Sequence, residues 1–91
     1  MEVLAVVRVK PPRKLWKIGE VAAHTQLSRQ TIHNYTILGL ITEEDRTESG
    51  HRLYGDAVFK NLAEIERLKA EGKTLGEIAK RIARRREAAS D

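Results

Sequence analysis

The chain has no cysteine, few aromatic residues and no long apolar run. Its aromatic residues are one Trp, two Tyr and one Phe among 91 residues. The lack of cysteine excludes disulfides, thiolate metal ligands and a cysteine nucleophile, so nothing indicates secretion or redox sensing. The apolar stretch near the N-terminus is interrupted by Arg8 and is too short for a signal peptide or a membrane span. We therefore expect a cytoplasmic protein with no membrane partner.

The chemistry of enzymes is also poorly represented. The sequence has no glycine-rich phosphate loop, and no nucleophile–base pair or carboxylate pair stands out. The three histidines, His24, His33 and His51, lie in different segments with no cysteine nearby, which is a poor spacing for a metal site. We predict no enzymatic activity, no cofactor and no bound metal.

Composition and charge indicate a small folded domain with an anionic partner. Hydrophobic residues make up 41% and charged residues 33%, which suits a folded protein, and the length suits a single domain. The net charge is +4, with basic residues concentrated near both ends and acidic residues clustered at 43–48. Two basic flanks favour a polyanion such as nucleic acid as the partner.

Breaks and caps divide the chain into segments. Pro11 and Pro12 hold the chain extended, so residues 1–14 are predicted to form an extension, as a strand or a loose arm. From Trp16 the pattern becomes helical, and Gly19-Glu20 is predicted to begin the first turn of a helix about two turns long. Ser28 is a good N-cap for a second helix over 28–38, and Gly39 suits the left-handed residue that follows a helix. Two helices joined by about four residues have the spacing of a helix-turn-helix.

The second half of the sequence predicts a hairpin and two more helices. Residues 41–54 contain a polar tip at Ser49-Gly50 and then an alternating run, as in a small β-hairpin. Asp56 is predicted to cap a third helix that ends at Gly72, and Thr74 is predicted to start a fourth. The predicted fold is therefore mainly α: a winged helix-turn-helix with about four helices and a small β-hairpin wing.

Five motifs together resemble one known family. They are "IGEVA" (18–22), "LSRQTIHNY" (27–35), "LGLI" (38–41), "GHRLY" (50–54) and "EGKTLGEIAKRI" (71–82). Their order and spacing resemble the winged helix-turn-helix DNA-binding domain of MerR-family regulators. The resemblance implies a domain over residues 15–83, followed by a basic C-terminal tail over 84–91. Since the family usually continues into a long dimerisation helix and an effector-binding part, we expect a minimal member with no small-molecule effector.

The resemblance also implies a set of DNA contacts. The second helix (28–38) would read the major groove and the wing (41–54) would follow the phosphate backbone. Arg, Gln and Asn can bind base edges in bidentate fashion, and Arg neutralises phosphates. Two readings from the residues remain open: Arg52 could instead pair with Glu43 or Glu44, and both tyrosines could be core residues. The candidate DNA-binding residues are Arg29, Gln30, Thr31, His33, Asn34, Arg52 and Tyr54.

One departure from the family concerns the turn of the helix-turn-helix. Gln26 stands where the family usually has a glycine, so the turn is expected to differ in geometry or to carry strain of roughly 1 kcal/mol.

Three functions are compatible with these patterns. The first is a sequence-specific regulator of transcription that binds double-stranded DNA and is associated with the nucleoid. The second is an architectural DNA-binding factor for recombination or packaging, and the third is a winged-helix adaptor that docks a protein. Self-association on DNA is also expected, since single modules of this size usually need a second copy for useful affinity.

Overall fold

The computed structural model describes residues 14–90; residues 1–13 and Asp91 lie outside this part, and with them nearly all of the predicted 1–14 extension. The helices are α1 (Ile18–Thr25), α2 (Arg29–Ile37), α3 (Ala57–Ala70) and α4 (Leu75–Ser90). The strands are β1 (Trp16–Lys17), β2 (Asp45–Arg46) and β3 (Arg52–Tyr54). The predicted mainly α winged helix-turn-helix is confirmed.

The three short strands form one antiparallel sheet in the order β1-β3-β2. Trp16 is opposite Tyr54 in β1–β3, and Arg46 is opposite Arg52 in β2–β3. The helical pattern predicted from Trp16 was wrong for Trp16 and Lys17, which pair with the wing strand, whereas the predicted first turn at Gly19-Glu20 is confirmed. The first helix begins at Ile18, where the Glu20 carboxylate accepts a hydrogen bond from the Lys17 N–H at 2.8 Å.

The turn between α1 and α2 has the expected caps and the expected irregularity. Gln26 adopts φ 63°, and its N–H donates to the Ala22 carbonyl at 2.8 Å. The backbone of Gln26 is therefore in the left-handed region, where a glycine would be free of strain. Ser28 Oγ accepts a hydrogen bond from the Thr31 N–H at 3.0 Å, which confirms the predicted N-cap of α2. Gly39 follows α2 with φ 80°, as predicted.

One hydrophobic core joins all four helices and the wing. Val21 of α1 and Ile32 of α2 are fully buried within it. The core also includes a row of apolar residues on α3, which recur at the spacing of an amphipathic helix. The complete set is Val21, Ile32, Tyr35, Leu40, Ile41, Tyr54, Val58, Leu62, Ile65, Leu68, Ile78 and Ile82. Burial of α2 on this core fixes which of its sides faces outward.

The ends of α3 and α4 follow the predictions with one exception. Asp56 is the N-cap residue of α3, but its side chain makes no cap hydrogen bond. Its Oδ1 instead accepts from the Trp16 indole N–H at 2.8 Å, since the β1–β3 pairing brings the indole to this place. Gly72 follows α3 with φ 93°, as expected. Thr74 and Glu77 form a reciprocal capping box at the start of α4.

The last helix continues into the segment predicted as a basic tail. The guanidinium of Arg85 donates two hydrogen bonds to the Glu64 carboxylate, at 2.9 and 2.7 Å. Arg86 donates to the carbonyl of Gly39 at 2.9 Å. These contacts connect the C-terminal half of α4 to α3 and to the turn after α2.

Candidate nucleic-acid interface

The second helix has two chemically different sides. Ile32 and Tyr35 are 0% and 3% exposed and face the core. Arg29, Gln30 and Asn34 are exposed. The predicted residues Thr31 and His33 lie at the boundary and are half-buried. The helix therefore presents hydrogen-bonding side chains to solvent, while its apolar side holds it on the core.

Two of the predicted base-reading side chains contact each other. The Gln30 amide Nε2 donates a hydrogen bond to Asn34 Oδ1 at 2.9 Å. One polar group of each side-chain amide, the Gln30 nitrogen and the Asn34 oxygen, is therefore used in this hydrogen bond. The two amides form one continuous donor and acceptor surface, one turn long, on the exposed side of α2.

Arg29 lies across the start of α1, and a glycine makes room for it. A Cβ built on Gly19 would lie 2.7 Å from Arg29 Nη2 and 3.1 Å from Cζ. Real Cβ atoms essentially never approach other heavy atoms this closely. Gly19 thus allows the guanidinium to rest against the first turn of α1.

The wing is connected to α2 by a small polar network. Arg52 Nε donates to Glu43 Oε1 at 2.7 Å, and Arg52 Nη1 donates to His33 Nδ1 at 3.3 Å. Arg46 forms a further ion pair with Glu43, with its Nη2 at 3.3 Å from Oε1. The open possibility that Arg52 pairs with Glu43 is thus realised. Arg52 and Glu43 are each about one quarter exposed, at 25% and 24% of the side chain.

The ion pairs with Arg46 and Arg52 favour the charged form of the Glu43 carboxylate. Hydrogen bonds from Arg46, and secondarily from Arg52, hold the pKa of Glu43 below its ordinary value. The hydrogen bond to Glu43 raises the pKa of Arg46 in turn. His33 Nδ1 can accept the hydrogen bond from Arg52 only in the tautomer that carries its proton on Nε2.

Tyr54 does not lie on this surface. Its side chain is 0% exposed, and its hydroxyl is hydrogen bonded to Thr36 Oγ1 at 2.7 Å. Thr36 Oγ1 also donates to the Ile32 carbonyl at 2.9 Å. The structure places Tyr54 in the core, between the wing and α2, so the contact set proposed below leaves it out.

A groove of about 910 Å³ lies between the start of α1, the start of α2 and the tip of the wing. It brings together three of the predicted residues, Arg29, His33 and Arg52. Sequence reasoning did not single out Lys17 and His51 for this site. The only available signal was that Lys17 directly precedes the "IGEVA" motif and that His51 lies within the "GHRLY" motif. The lining residues are Lys17, Ile18, Gly19, Glu20, Arg29, His33, Thr47, Ser49, Gly50, His51 and Arg52.

Residues 14–90 contain no cluster of three or more His, Asp or Glu residues that could hold a metal ion and no helix that could span a membrane. Charged side chains of the same range are all at least partly exposed. The groove brings Lys17, Arg29 and Arg52 together with His33 and His51.

Comparison with known proteins places this surface in context. The chain is 38% identical over 73 residues to the nodulation protein NolA of Bradyrhizobium diazoefficiens, covering 80% of this chain and 31% of that protein. It is 42% identical over 65 residues to the mercuric resistance operon regulatory protein of Bacillus cereus, covering 71% of this chain and 49% of that one. The crystal structure of a MerR-family transcriptional regulator from Bacillus cereus superposes with a TM-score of 0.69 at 33% identity, covering 77% of this chain and 52% of that one.

The chain thus spans about a third to a half of the length of these curated relatives. Residues 16–85 match the family described as "MerR HTH family regulatory protein". This match covers most of the chain and includes every element of the helix-turn-helix and the wing. The chain belongs to the MerR helix-turn-helix family of regulatory proteins.

Proposed function

We propose that this chain binds double-stranded DNA as a regulator of transcription. The observation that carries the proposal is the groove between α1, α2 and the wing, which gathers Lys17, Arg29 and Arg52 around one opening. The family and the relatives named above support a regulatory role. DNA binding would associate the protein with the nucleoid in the cytoplasm.

The backbone contacts follow from the cations of the groove. Lys17 is exposed on β1, and Arg29 is exposed at the start of α2. Arg52 reaches the same groove from β3. Because these three cations lie on separate elements, an extended phosphate backbone suits them better as a ligand than a single small anion does. Neutralising these phosphates releases counterions, so the affinity should fall steeply with salt.

The base contacts follow from the exposed side of α2. A helix fits into the major groove, where Gln and Asn amides can bind adenine and a guanidinium can bind guanine. We assign base reading to Gln30 and Asn34, with Arg29 contacting a base or a phosphate. Thr31 and His33 lie beside them at the boundary with the core and would approach the backbone.

A binding titration over a range of salt concentrations tests this function. The probe is a short labelled duplex of mixed sequence, and selection from randomised duplexes then gives the preferred site. We expect binding at low salt, with a log–log salt slope that corresponds to a handful of phosphates. A folded protein that binds no duplex at the lowest salt would contradict the proposal and favour a protein adaptor.

A matched pair of lysine variants locates the surface. Lys17 lies in the groove, whereas Lys60 is an exposed lysine on α3 that does not line it. Lys17→Ala should weaken binding roughly threefold, the loss expected for one exposed phosphate contact, and Lys60→Ala should leave it unchanged. Equal effects of the two variants would mean that DNA does not occupy this groove.

A further inference from the structure

We propose that Glu43 is a positioning residue for DNA binding. Its carboxylate holds the guanidinium of Arg52 in the orientation in which Arg52 binds a phosphate. The inference rests on the function proposed above and adds a residue whose charge is the same as that of the ligand.

The geometry fixes Arg52 on two sides. Glu43 receives the Nε–H of Arg52 from one side, and His33 receives an Nη1–H from the other. These two contacts use two of the five N–H donors of a guanidinium. A phosphate oxygen can therefore be bound by the remaining donors while the orientation is kept.

Glu43 is itself held in place by a second cation. Arg46 on β2 forms an ion pair with the same carboxylate, so both carboxylate oxygens are engaged by wing arginines. Because β2 and β3 contain only two and three residues, backbone pairing alone gives the wing little rigidity. The carboxylate acts as a bridge between the two strands and sets the direction of the Arg52 side chain.

The sign of the effect separates positioning from simple electrostatics. A carboxylate close to DNA repels phosphates, so its removal should strengthen binding if charge alone matters. If Glu43 positions Arg52, its removal should weaken binding, because the guanidinium then has to be ordered when DNA binds. The two explanations predict changes in opposite directions.

Glu48 provides a matched control for the charge. It is an exposed glutamate in the turn of the same hairpin, and it does not line the groove. We expect Glu43→Gln to weaken binding to the mixed-sequence duplex about fivefold, and Glu48→Gln to leave it unchanged or strengthen it. A strengthening by Glu43→Gln equal to that by Glu48→Gln would overturn the inference.

A second variant removes the charge difference altogether. Glu43→Asp keeps the carboxylate but shortens the side chain by one methylene, so it cannot reach both arginines in the same way. We expect about threefold weaker binding with no change in net charge, whereas Glu48→Asp should have no effect. Unchanged binding by a folded Glu43→Asp protein would also contradict the positioning role.

A double-mutant cycle shows whether the effect acts through Arg52. In an Arg52→Gln background, Glu43→Gln should lose its weakening effect and behave like Glu48→Gln. An equal weakening with and without Arg52 would overturn the inference while leaving the DNA-binding function intact. If the unmodified folded protein binds no duplex, the proposed function fails, and this inference fails with it. Circular dichroism of each variant, taken in the binding buffer, establishes that the proteins compared are folded.

Discussion

The wing and the third helix keep their geometry in different ways. Along α3, the buried positions Val58, Leu62, Ile65 and Leu68 are at most 4% exposed, and they pack on the other helices. In the wing, both residues of β2 are exposed, and the short strands are joined by the ion pairs of Glu43 with Arg46 and Arg52. Helix α3 is held by burial of apolar surface along its length, whereas the wing combines burial of Tyr54 with polar contacts at the surface.

The difference separates stability from binding. Burial of apolar surface provides most of the free energy of folding, whereas exposed ion pairs provide little. Substitutions of the polar residues Glu43, Arg46 and Arg52 in the wing should therefore change DNA binding with little effect on the free energy of unfolding. Substitutions along α3 should do the reverse, because they remove buried contacts but leave the groove residues in place while the protein is folded.

The largest expected effect is on the free energy of unfolding, and it comes from truncating a buried leucine of α3. Leu62→Ala should lower the free energy of unfolding by about 2 to 5 kcal/mol, a large share of the roughly 5 to 15 kcal/mol typical of a domain. Leu62 is 1% exposed, whereas Leu38 at the end of α2 is 53% exposed. Leu38→Ala is the matched control and should cost much less in urea denaturation. Similar losses for the two variants would contradict the assignment of the core.

Removal of the Arg52 side chain from the wing should give the next largest effect, a loss of DNA affinity. Arg52→Ala should weaken binding to all duplexes similarly, by about tenfold, because a phosphate contact carries no sequence information. Duplexes with altered bases in the selected site provide the measurement. Arg67→Ala removes an exposed arginine of α3 that pairs with Glu71, and it should have no such effect. A change of sequence preference in Arg52→Ala would mean that Arg52 reads bases.

Asn34 should affect specificity more than general affinity. Asn34→Ala removes the acceptor of the Gln30 amide and the exposed amide itself, so both base-reading side chains are disturbed. We expect a loss of preference of about fivefold at one or two base pairs of the selected site, with mixed-sequence binding nearly unchanged. A uniform loss across all duplexes would mean that Asn34 serves the backbone instead.

Substitution of Gly19 by alanine should weaken DNA binding without lowering the free energy of unfolding. In Gly19→Ala the new methyl displaces the guanidinium of Arg29, while alanine favours the helix by up to about 1 kcal/mol. We expect about threefold weaker DNA binding and an unchanged or higher free energy of unfolding. Gly76 occupies the same position in α4, and a Cβ there would meet only Thr74 Oγ1 at 3.9 Å. Gly76→Ala is therefore the control, and equal affinities for the two variants would exclude a role for the Arg29 position.

The smallest expected effect is the pH dependence of the α3–α4 ion pair. The hydrogen bond from Arg85 lowers the pKa of Glu64, so the folded protein holds this carboxylate charged to lower pH than the unfolded chain. Its stabilisation is present above the unfolded pKa of about 4.3 and is lost as the pH falls through the folded value. Glu64→Gln should therefore cost under about 1 kcal/mol at neutral pH and less at an acidic pH below the unfolded value. Urea denaturation of both proteins at the two pH values measures this difference, and a cost that persists undiminished in acid would assign it to packing.

Several parts of the fold could be predicted because their signals are local. Ser28 caps α2, and Gly39 and Gly72 follow helices in the left-handed region. Each depends on the chemistry of one or two neighbouring residues. The strand at Trp16 could not be predicted in this way, because its partner Tyr54 is 38 residues away in sequence and is joined to it only by tertiary pairing.

The candidate site shows the same division. The helical spacing of polar and apolar residues along α2 predicts that Arg29, Gln30, His33 and Asn34 share one side. In the structure Arg29, Gln30 and Asn34 are exposed, whereas His33 is half-buried. Whether Arg52 is a free cation or a paired one depends on Glu43, and whether Tyr54 faces solvent depends on Thr36. Those partners lie on other elements, so the sequence left both questions open.

The sequence by itself determined the order of the helices, the caps of α2 and α4 and the exposed side of α2, because these depend on periodicity and on residues close together in the chain. Only the tertiary structure decided that β1 joins the wing, that Tyr54 belongs to the core, and that Glu43 connects Arg46 and Arg52. These contacts depend on how the wing lies against α1 and α2. That position follows from burial of Tyr54, Leu40 and Ile41 in the shared core, which no local pattern specifies.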